Sequence, residues 1–408
     1  MLDLLLRHYI RRGTLSVHYP DGQTKVYGSG EPKAAIRLAD RLAPWALAFD
    51  PDLKLGELYM NGRLLIEDGD IVSLMDLLVG NVSLTGASGT HQLLRIVRQL
   101  FRIFGQFNPV SRARAHVAHH YDLSRRLYDL FLDGSRQYSC AYFAHEGASL
   151  EEAQAAKKLH IAAKLKFDRP GLTVLDIGCG WGGLAMDVAR ERDADVLGIT
   201  LSTEQIAVAE ELARQNGLSG HCRFSLMDYR KLDGQFDRIV SVGMFEHVGV
   251  RYYPDFFRKA ASLLKDDGVM LLHSIGRADG PGVTNAWIRK YIFPGGYAPA
   301  LSEILPVIEK MGLIVTDVEV LRLHYARTLA EWQKRFQANR AEISALYDER
   351  FCRMWEFYLA GAEMAFRHEK QVVFQIQITK RVDALPLTRD YMMERGDRPL
   401  SDKVRQAA

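Results

Sequence analysis

From about residue 150 the apolar positions fall in short continuous runs separated by helical spacers. The order is TVLDIGCG then WGGLAMDVARER, DVLGITLS then TEQIAVAEELARQNG, RFSLMDYR, FDRIVSVGMFEHVG and, after another helix, VMLLHSIG. Several such strands separated by helical spacers predict a parallel, doubly wound α/β sheet. From Leu301 the pattern adds a helix, LIVTDVEVLRLHY as a strand, a long helical stretch through Phe366, and VVFQIQITK as a final strand. The first part of the chain reads differently. Residues 14–28 alternate around Pro20-Asp21-Gly22, a hairpin signal, because Pro pre-sets one turn dihedral and Gly accepts the positive one. Ala34 to Ala43 has a helical period that Pro44 should stop or kink, GELYMNGRLLIEDGDI reads as strand–turn–strand, and IVSLMDLLVG as a helix. The expected organisation is a small N-terminal α+β domain over residues 1–80, a linker with a basic segment over 81–115, and an α/β catalytic domain over 116–408.

With 408 residues and 48% hydrophobic positions, two ordinary cores can be buried without staples. Lys and Arg number 53 against 50 Asp and Glu, a net of +3, which argues against a generally basic nucleic-acid binder. The surplus is local: residues 1–120 hold 14 basic and 11 acidic side chains, and Leu77 to Tyr121 contains no acid at all. Within that window Arg95, Arg98 and Arg102 share one side of a helical wheel whose remainder is apolar (Leu93, Leu94, Ile96, Val97, Leu100, Phe101, Ile103, Phe104). That is the pattern of an interfacial helix on an anionic surface, and equally of an ordinary helix with a solvated arginine edge. Residues 80–90, GNVSLTGASGT, read as linker or loop. Four cysteines without a CxxC pair indicate neither a disulfide framework nor a metal site and fit a reducing cytoplasm. No run reaches the roughly 18 apolar residues of a spanning helix, so the expectation is a protein that is soluble or sits on a membrane without crossing it.

Val174 to Gly182, VLDIGCGWG, puts Asp176, Gly178, Gly180 and Gly182 at a strand-to-helix turn. Glycines there let a ligand approach the backbone closely and leave helix N–H groups free. The dinucleotide fingerprint is GxGxxG; here the spacing is GxGxG with an acid two residues ahead, which suits a cationic amino group and points to S-adenosylmethionine. The second strand ends without the acid that commonly holds a ribose, leaving Thr200, Ser202 and Gln205 for that task. After the third strand, Asp228 and Tyr229 are placed to meet an adenine, as acceptor and stacking face, or else are a turn Asp and a half-buried Tyr.

HYDLS (120–124), YSCAYF (138–143), LDIGCGWGG, FDRIVSVGMFEHVG, LLHSIG, YIFPGG and HYARTLAEW together closely resemble the cyclopropane-fatty-acyl-phospholipid synthases and the related mycolic acid cyclopropane synthases. The resemblance covers most of the chain. It implies a Rossmann-like S-adenosylmethionine-dependent methyltransferase domain that delivers a one-carbon unit to a cis double bond of a phospholipid acyl chain and closes a ring. It also implies bound bicarbonate as the base, held by backbone groups of Cys140 and Ile275 and by Glu246, His273 and Tyr325, with Tyr138 and Ser139 at the cofactor. A carboxylate, an imidazole and a phenol from separate segments can together hold and tune a small oxyanion. Each alone has an ordinary explanation, as helix cap, satisfied core histidine or packing. Family members tend to be dimers, so a homodimer peripheral to the inner membrane is expected. The chain departs from the family at Ala362, where relatives often carry a cysteine, so no thiol can act there. The competing expectations are a methyltransferase that leaves an open methyl or methylene branch or acts on another small substrate, and a non-catalytic lipid-binding protein.

Overall fold

The computed structural model describes residues 1–85 and 123–393. The first stretch opens with helix α1 (Leu2–Tyr9), followed by β1 (Gly13–His18), β2 (Thr24–Ser29) and β3 (Lys33–Leu38), helices α2 (Ala43–Phe49) and α3 (Pro51–Met60), β4 (Leu64–Asp68) and α4 (Ile71–Thr85). The expected hairpin forms: Gly22 takes φ +85° and its N–H donates to the Tyr19 carbonyl. The small sheet runs β2-β1-β3-β4, with β1 and β3 parallel and the other pairs antiparallel.

Four expectations for this region fail. Residues 33–38 are a strand, with Ala34, Ile36 and Leu38 buried on one face and Lys33 and Arg37 on the other, so the period is two and not 3.6. Pro44 does not stop a helix but lies in the first turn of one, where its missing N–H is harmless. GELYM belongs to α3, started by Pro51 and ended at Asn61-Gly62, so only Leu64–Asp68 of the expected strand pair is a strand. Residues 80–85, read as loop, continue α4. The basic amphipathic segment and His120 to Asp122 lie outside the described residues.

The second stretch contains α5 (Arg125–Phe131), α6 (Leu150–Lys164), β5 (Thr173–Ile177), α7 (Gly183–Arg192), β6 (Asp195–Thr200), α8 (Thr203–Gln215), β7 (Cys222–Leu226), β8 (Phe236–Val242), α9 (Tyr253–Leu263), β9 (Leu264–Arg277), α10 (Ala286–Tyr291), α11 (Leu301–Lys310), β10 (Ile314–Val320), α12 (His324–Ala338), α13 (Arg340–Leu346), α14 (Glu349–His368) and β11 (Gln371–Thr379). The seven strands run β10-β11-β9-β8-β5-β6-β7. The fold is α/β and Rossmann-like as expected, but the sheet is mixed: β11 is antiparallel to both neighbours, β9 and β10. Its chain order reverses at β5, which pairs with β6 on one side and β8 on the other, and ligands of doubly wound sheets bind at the carboxyl ends of strands at such a switch point. The long C-terminal helical stretch is three helices, and the strand expected through His324 and Tyr325 ends at Val320, so Tyr325 stands in the first turn of α12.

The two sheets are joined by packing. Gly56 of α3 lies so close to Trp287 that a Cβ would stand 2.5 Å from the indole Nε1, and that nitrogen donates to Met60 Sδ at 3.2 Å. Tyr59 donates to Glu356 at 3.0 Å, Lys290 pairs with Glu57 at 2.7 Å, and His368 pairs with Asp76. Among the described residues no helix is long and apolar enough to cross a membrane.

Candidate active site

A cleft opens at the carboxyl ends of β5, β6 and β8, lined by Tyr138, Ser139, Asp176, Gly178, Gly180, Thr200, Gln205, Asp228 and Tyr229 among others. The loop after β5 is shaped by its glycines: Gly178 has φ +85° and Gly180 +55°, conformations an L-residue resists. In front of Gly180 a Cβ would meet nothing within 4 Å, so the backbone itself forms the floor of the cleft. At Gly178 a Cβ would stand 2.8 Å from that of Met244, packing the loop against the end of β8. Asp176 is buried at the foot of the cleft, and burial pushes its carboxyl up to about 7 against the pull of the Lys157 charge. A cationic amino group arriving there would favour the ionised form. The cleft thus fits S-adenosylmethionine: a backbone floor open to close approach, a buried carboxylate below it, and polar and aromatic side chains around it.

Two of the expected contacts take another form. Ser202 is a helix cap, its Oγ accepting from the Gln205 N–H at 3.3 Å at the start of α8; Thr200 and Gln205, joined at 3.0 Å, are the groups that face the cleft. Asp228 lines the cleft, but both its oxygens already accept from Arg230, at 2.9 Å from Nε and 2.6 Å from Nη2. Tyr229 beside it packs edge-on against Phe256. Reading motif strings residue by residue missed Trp181, Met244 and His247, which also line the cleft. The signal was present in the WGG and GMFEHV strings.

The residues that the family resemblance assigns to the base come from two sides. On one, Glu246 follows β8 in a short turn, and its Oε1 accepts from the Ile275 N–H of β9 at 2.6 Å. Its Oε2 is buried without a hydrogen-bond partner, the nearby Ser274 hydroxyl donating to the Ile275 carbonyl at 2.9 Å, and burial lifts the carboxyl to about 7 against the pull of Ser274 and the main-chain amides. The Ile275 amide is therefore engaged by Glu246. His273, two residues earlier on β9, accepts at Nδ1 from the Gln375 side chain at 3.1 Å. The direction of that bond is set one step further out: Lys164 Nζ donates to Gln375 Oε1 at 2.7 Å, which turns the amide NH2 toward the imidazole and leaves the ring proton on Nε2. Burial, with the nearby charge of Lys157, lowers the His273 pKa to about 3, so the ring is neutral.

On the other side, the 138–143 segment is tied to the start of α12. The Ala141 N–H donates to Thr328 Oγ1 at 3.0 Å, and the Phe143 N–H to His324 Nδ1 at 3.0 Å. This brings the Cys140 backbone to the turn that carries Tyr325. Tyr325 packs edge-on to Trp332, on which Tyr138 is stacked at 5.1 Å. The Cys140 thiol is buried and its pKa raised, which makes it inert as a nucleophile. The charge of Lys157 acts on Cys140, Asp176 and His273. At the departure site, Glu363 beside Ala362 pairs with Arg367 at 2.7 Å and feels the charges of Asp76 and Asp70.

The sheet order and the GxGxG cleft define a Rossmann-like S-adenosylmethionine-dependent methyltransferase. The chain belongs to the mycolic acid cyclopropane synthetase family, whose model matches residues 109–376, while a domain of unknown function (DUF7884) matches residues 2–84. It is 40% identical over 335 residues, 81% of its length and 84% of the relative's, to the cyclopropane-fatty-acyl-phospholipid synthase of Escherichia coli K12. It is 42% identical over 258 residues, 61% of its own length and 65% of the relative's, to a probable fatty acid methyltransferase of Pseudomonas putida. The crystal structure of mycolic acid cyclopropane synthase CmaA1 complexed with SAH and CTAB superposes with a TM-score of 0.62 at 37% identity, covering 65% of this chain and 97% of that one.

Proposed function

We propose that this enzyme transfers a methylene group from S-adenosylmethionine to the cis double bond of unsaturated phospholipid acyl chains, forming a cyclopropane ring, with bound bicarbonate as the general base. The observation that carries the reading is Glu246, a buried carboxyl with one oxygen fixed by a main-chain amide and the other left without a partner. Such a group weakens a fold, since a buried unsatisfied oxygen costs about 1–3 kcal/mol. Its retention is explained if that oxygen meets a ligand.

S-adenosylmethionine supplies an electrophilic methyl, and bicarbonate would accept the proton whose loss closes the ring. An alkene is a poor nucleophile, so the protein's share is orientation and exclusion of water. In this reading Asp176, Thr200, Gln205, Asp228 and Tyr229 hold the cofactor with Tyr138, Ser139 and the glycine loop, and Ser202 acts by capping α8. Glu246, near 7, can present either a proton or a charge to a small oxyanion. Neutral His273 offers its Nε2–H, Tyr325 its hydroxyl, and Cys140 its backbone.

The reading extends to a cytoplasmic homodimer peripheral to the inner membrane, built of an N-terminal domain through about residue 80 and a catalytic domain from about residue 116. Leu42, Trp45 and Phe49 support the membrane contact: spaced three and four apart beside and along α2, each is more than half exposed. An aromatic pair at a surface suits the boundary between headgroups and acyl chains. A second reading, an open methyl or methylene branch or methylation of another small substrate, is favoured by the likeness to the Pseudomonas protein.

Incubating the purified protein with S-adenosylmethionine and unsaturated phospholipid vesicles, with and without bicarbonate, separates the two by gas chromatography and mass detection of the acyl chains. Cyclopropane chains whose yield depends on bicarbonate are expected. Open branched chains would establish the second reading, and unchanged chains would sink both lipid readings.

A further inference from the structure

Gln154 and Lys157 lie about one turn apart on α6, and both are fully buried. They reach the same irregular stretch of chain, which forms one wall of the cofactor cleft and runs directly into Cys140. The Gln154 side-chain amide donates to the main-chain carbonyls of Gln137 at 3.3 Å and Ser139 at 3.0 Å. Lys157 Nζ donates to Gln137 Oε1 at 2.7 Å and Ser139 Oγ at 2.8 Å.

A buried amine is an expensive way to hold a loop, because desolvating its charged form costs several kcal/mol, and here burial lowers the Lys157 pKa to about 7. Two charges lie near enough to offset it, Asp133 and Asp176, and the second is the carboxylate at the foot of the cofactor cleft. The cation therefore connects to the cleft twice, through the hydroxyl of Ser139 and through the field at Asp176.

We propose that Gln154 and Lys157 form a clamp that positions the 137–140 backbone for the cofactor, Lys157 acting through the Ser139 hydroxyl as a positioning residue. The proposal rests on the cleft being the S-adenosylmethionine site. Gln154 sets the height of the main chain and Lys157 fixes the side chains that face the cleft. Neither residue touches the reacting atoms.

The test is SAH affinity by titration calorimetry and steady-state kinetics for Lys157→Met, Ser139→Ala and the double variant. Lys157→Met is expected to bind SAH at least tenfold more weakly and to raise the KM for S-adenosylmethionine more than it lowers kcat. Its thermal midpoint is expected to fall as well, since Gln137 Oε1 and Ser139 Oγ lose their buried donor, so SAH affinity and the split between KM and kcat carry the test. The losses in the double variant should be less than additive, because each single change already cuts the bond between Lys157 and Ser139. Wild-type affinity in Lys157→Met, or fully additive losses, would overturn the clamp. Ser139→Ala, a small change in an irregular segment, keeps the test open if Lys157→Met fails to fold: unchanged SAH affinity there refutes the route through Ser139. A wild-type protein that does not bind SAH would remove the cofactor reading itself, and with it the proposal.

Discussion

Glu246→Gln separates function from stability. The side chain keeps its shape and Gln can still accept from the Ile275 amide, but it can no longer carry a charge or a titrating proton. Turnover is expected to fall by roughly a hundredfold or more, the usual scale for losing a positioned acid or base, with SAH affinity unchanged. The stability arithmetic runs the other way. Burial raises this carboxyl from 4.5 to about 7, so the folded state resists its ionisation. Stability from the neutral carboxyl is fully present below the unfolded value of 4.5 and is lost as pH rises toward 7. Across that window the loss is about 3 kcal/mol at 1.36 kcal/mol per pH unit. Glutamine does not titrate, so the stability of the variant relative to wild type should rise between pH 5 and pH 8 by up to that amount, a few degrees in Tm. Thermal melts at the two pH values beside acyl-chain analysis give both readouts. Full turnover, or a variant that loses ground to wild type as pH rises, would refute the reading of Glu246 as a buried group kept for chemistry.

The tautomer of His273 gives a second expectation: Gln375→Leu removes the donor at Nδ1, so turnover should fall about tenfold or more while calorimetry shows unchanged SAH binding. Gly178→Ala forces a side chain onto a φ of +85° and into Met244, so SAH binding should be lost and Tm lowered, at a strain of roughly 1–2 kcal/mol plus the clash. Replacing Trp45 and Phe49 together by Ala should weaken sedimentation with phospholipid vesicles by about tenfold or more, two buried aromatic rings being worth several kcal/mol, and leave SAH binding intact; unchanged sedimentation would move the membrane contact elsewhere.

The parts of the fold legible in the sequence are those where one period dominates. Strands β5, β6 and β8 each carry a short apolar run between helical spacers, and the GxGxG turn marks where the strand meets its helix, so the cleft and most of its lining followed from the residues in order. Residues 33–38 were misread because Ala34, Ile36, Leu38, Ala39 and Leu42 fit a helical spacing as well as an alternating one; the sheet partners β1 and β4 decide between them, and the local pattern does not contain them. GELYM was misread because an isolated tyrosine and leucine favour a strand, whereas Pro51 upstream and the fit of Gly56 against Trp287 favour a helix, and the second of these comes from 231 residues away.

The groups around His273 were hidden for a related reason. Gln375 reads as one polar position in an alternating strand, VVFQIQIT, and nothing near it in the chain speaks of catalysis. Its role is created by register: β11, the one antiparallel strand between β9 and β10, sets Gln375 directly opposite His273, with Phe374 opposite Ser274 and Ile376 opposite Leu272. A slip of one residue would put an aromatic or aliphatic side chain against the imidazole and send the amide to the other face. The antiparallel strand that breaks the expected all-parallel sheet is thus the element that fixes the histidine tautomer. Lys164, which orients Gln375, lies on α6 seven residues beyond Lys157. One helix therefore supplies both buried lysines, one to the cofactor wall and one to the Gln375–His273 pair, and its capping box, with Ser149 and Glu152 each bonding the other's main-chain N–H, anchors the end from which both are placed.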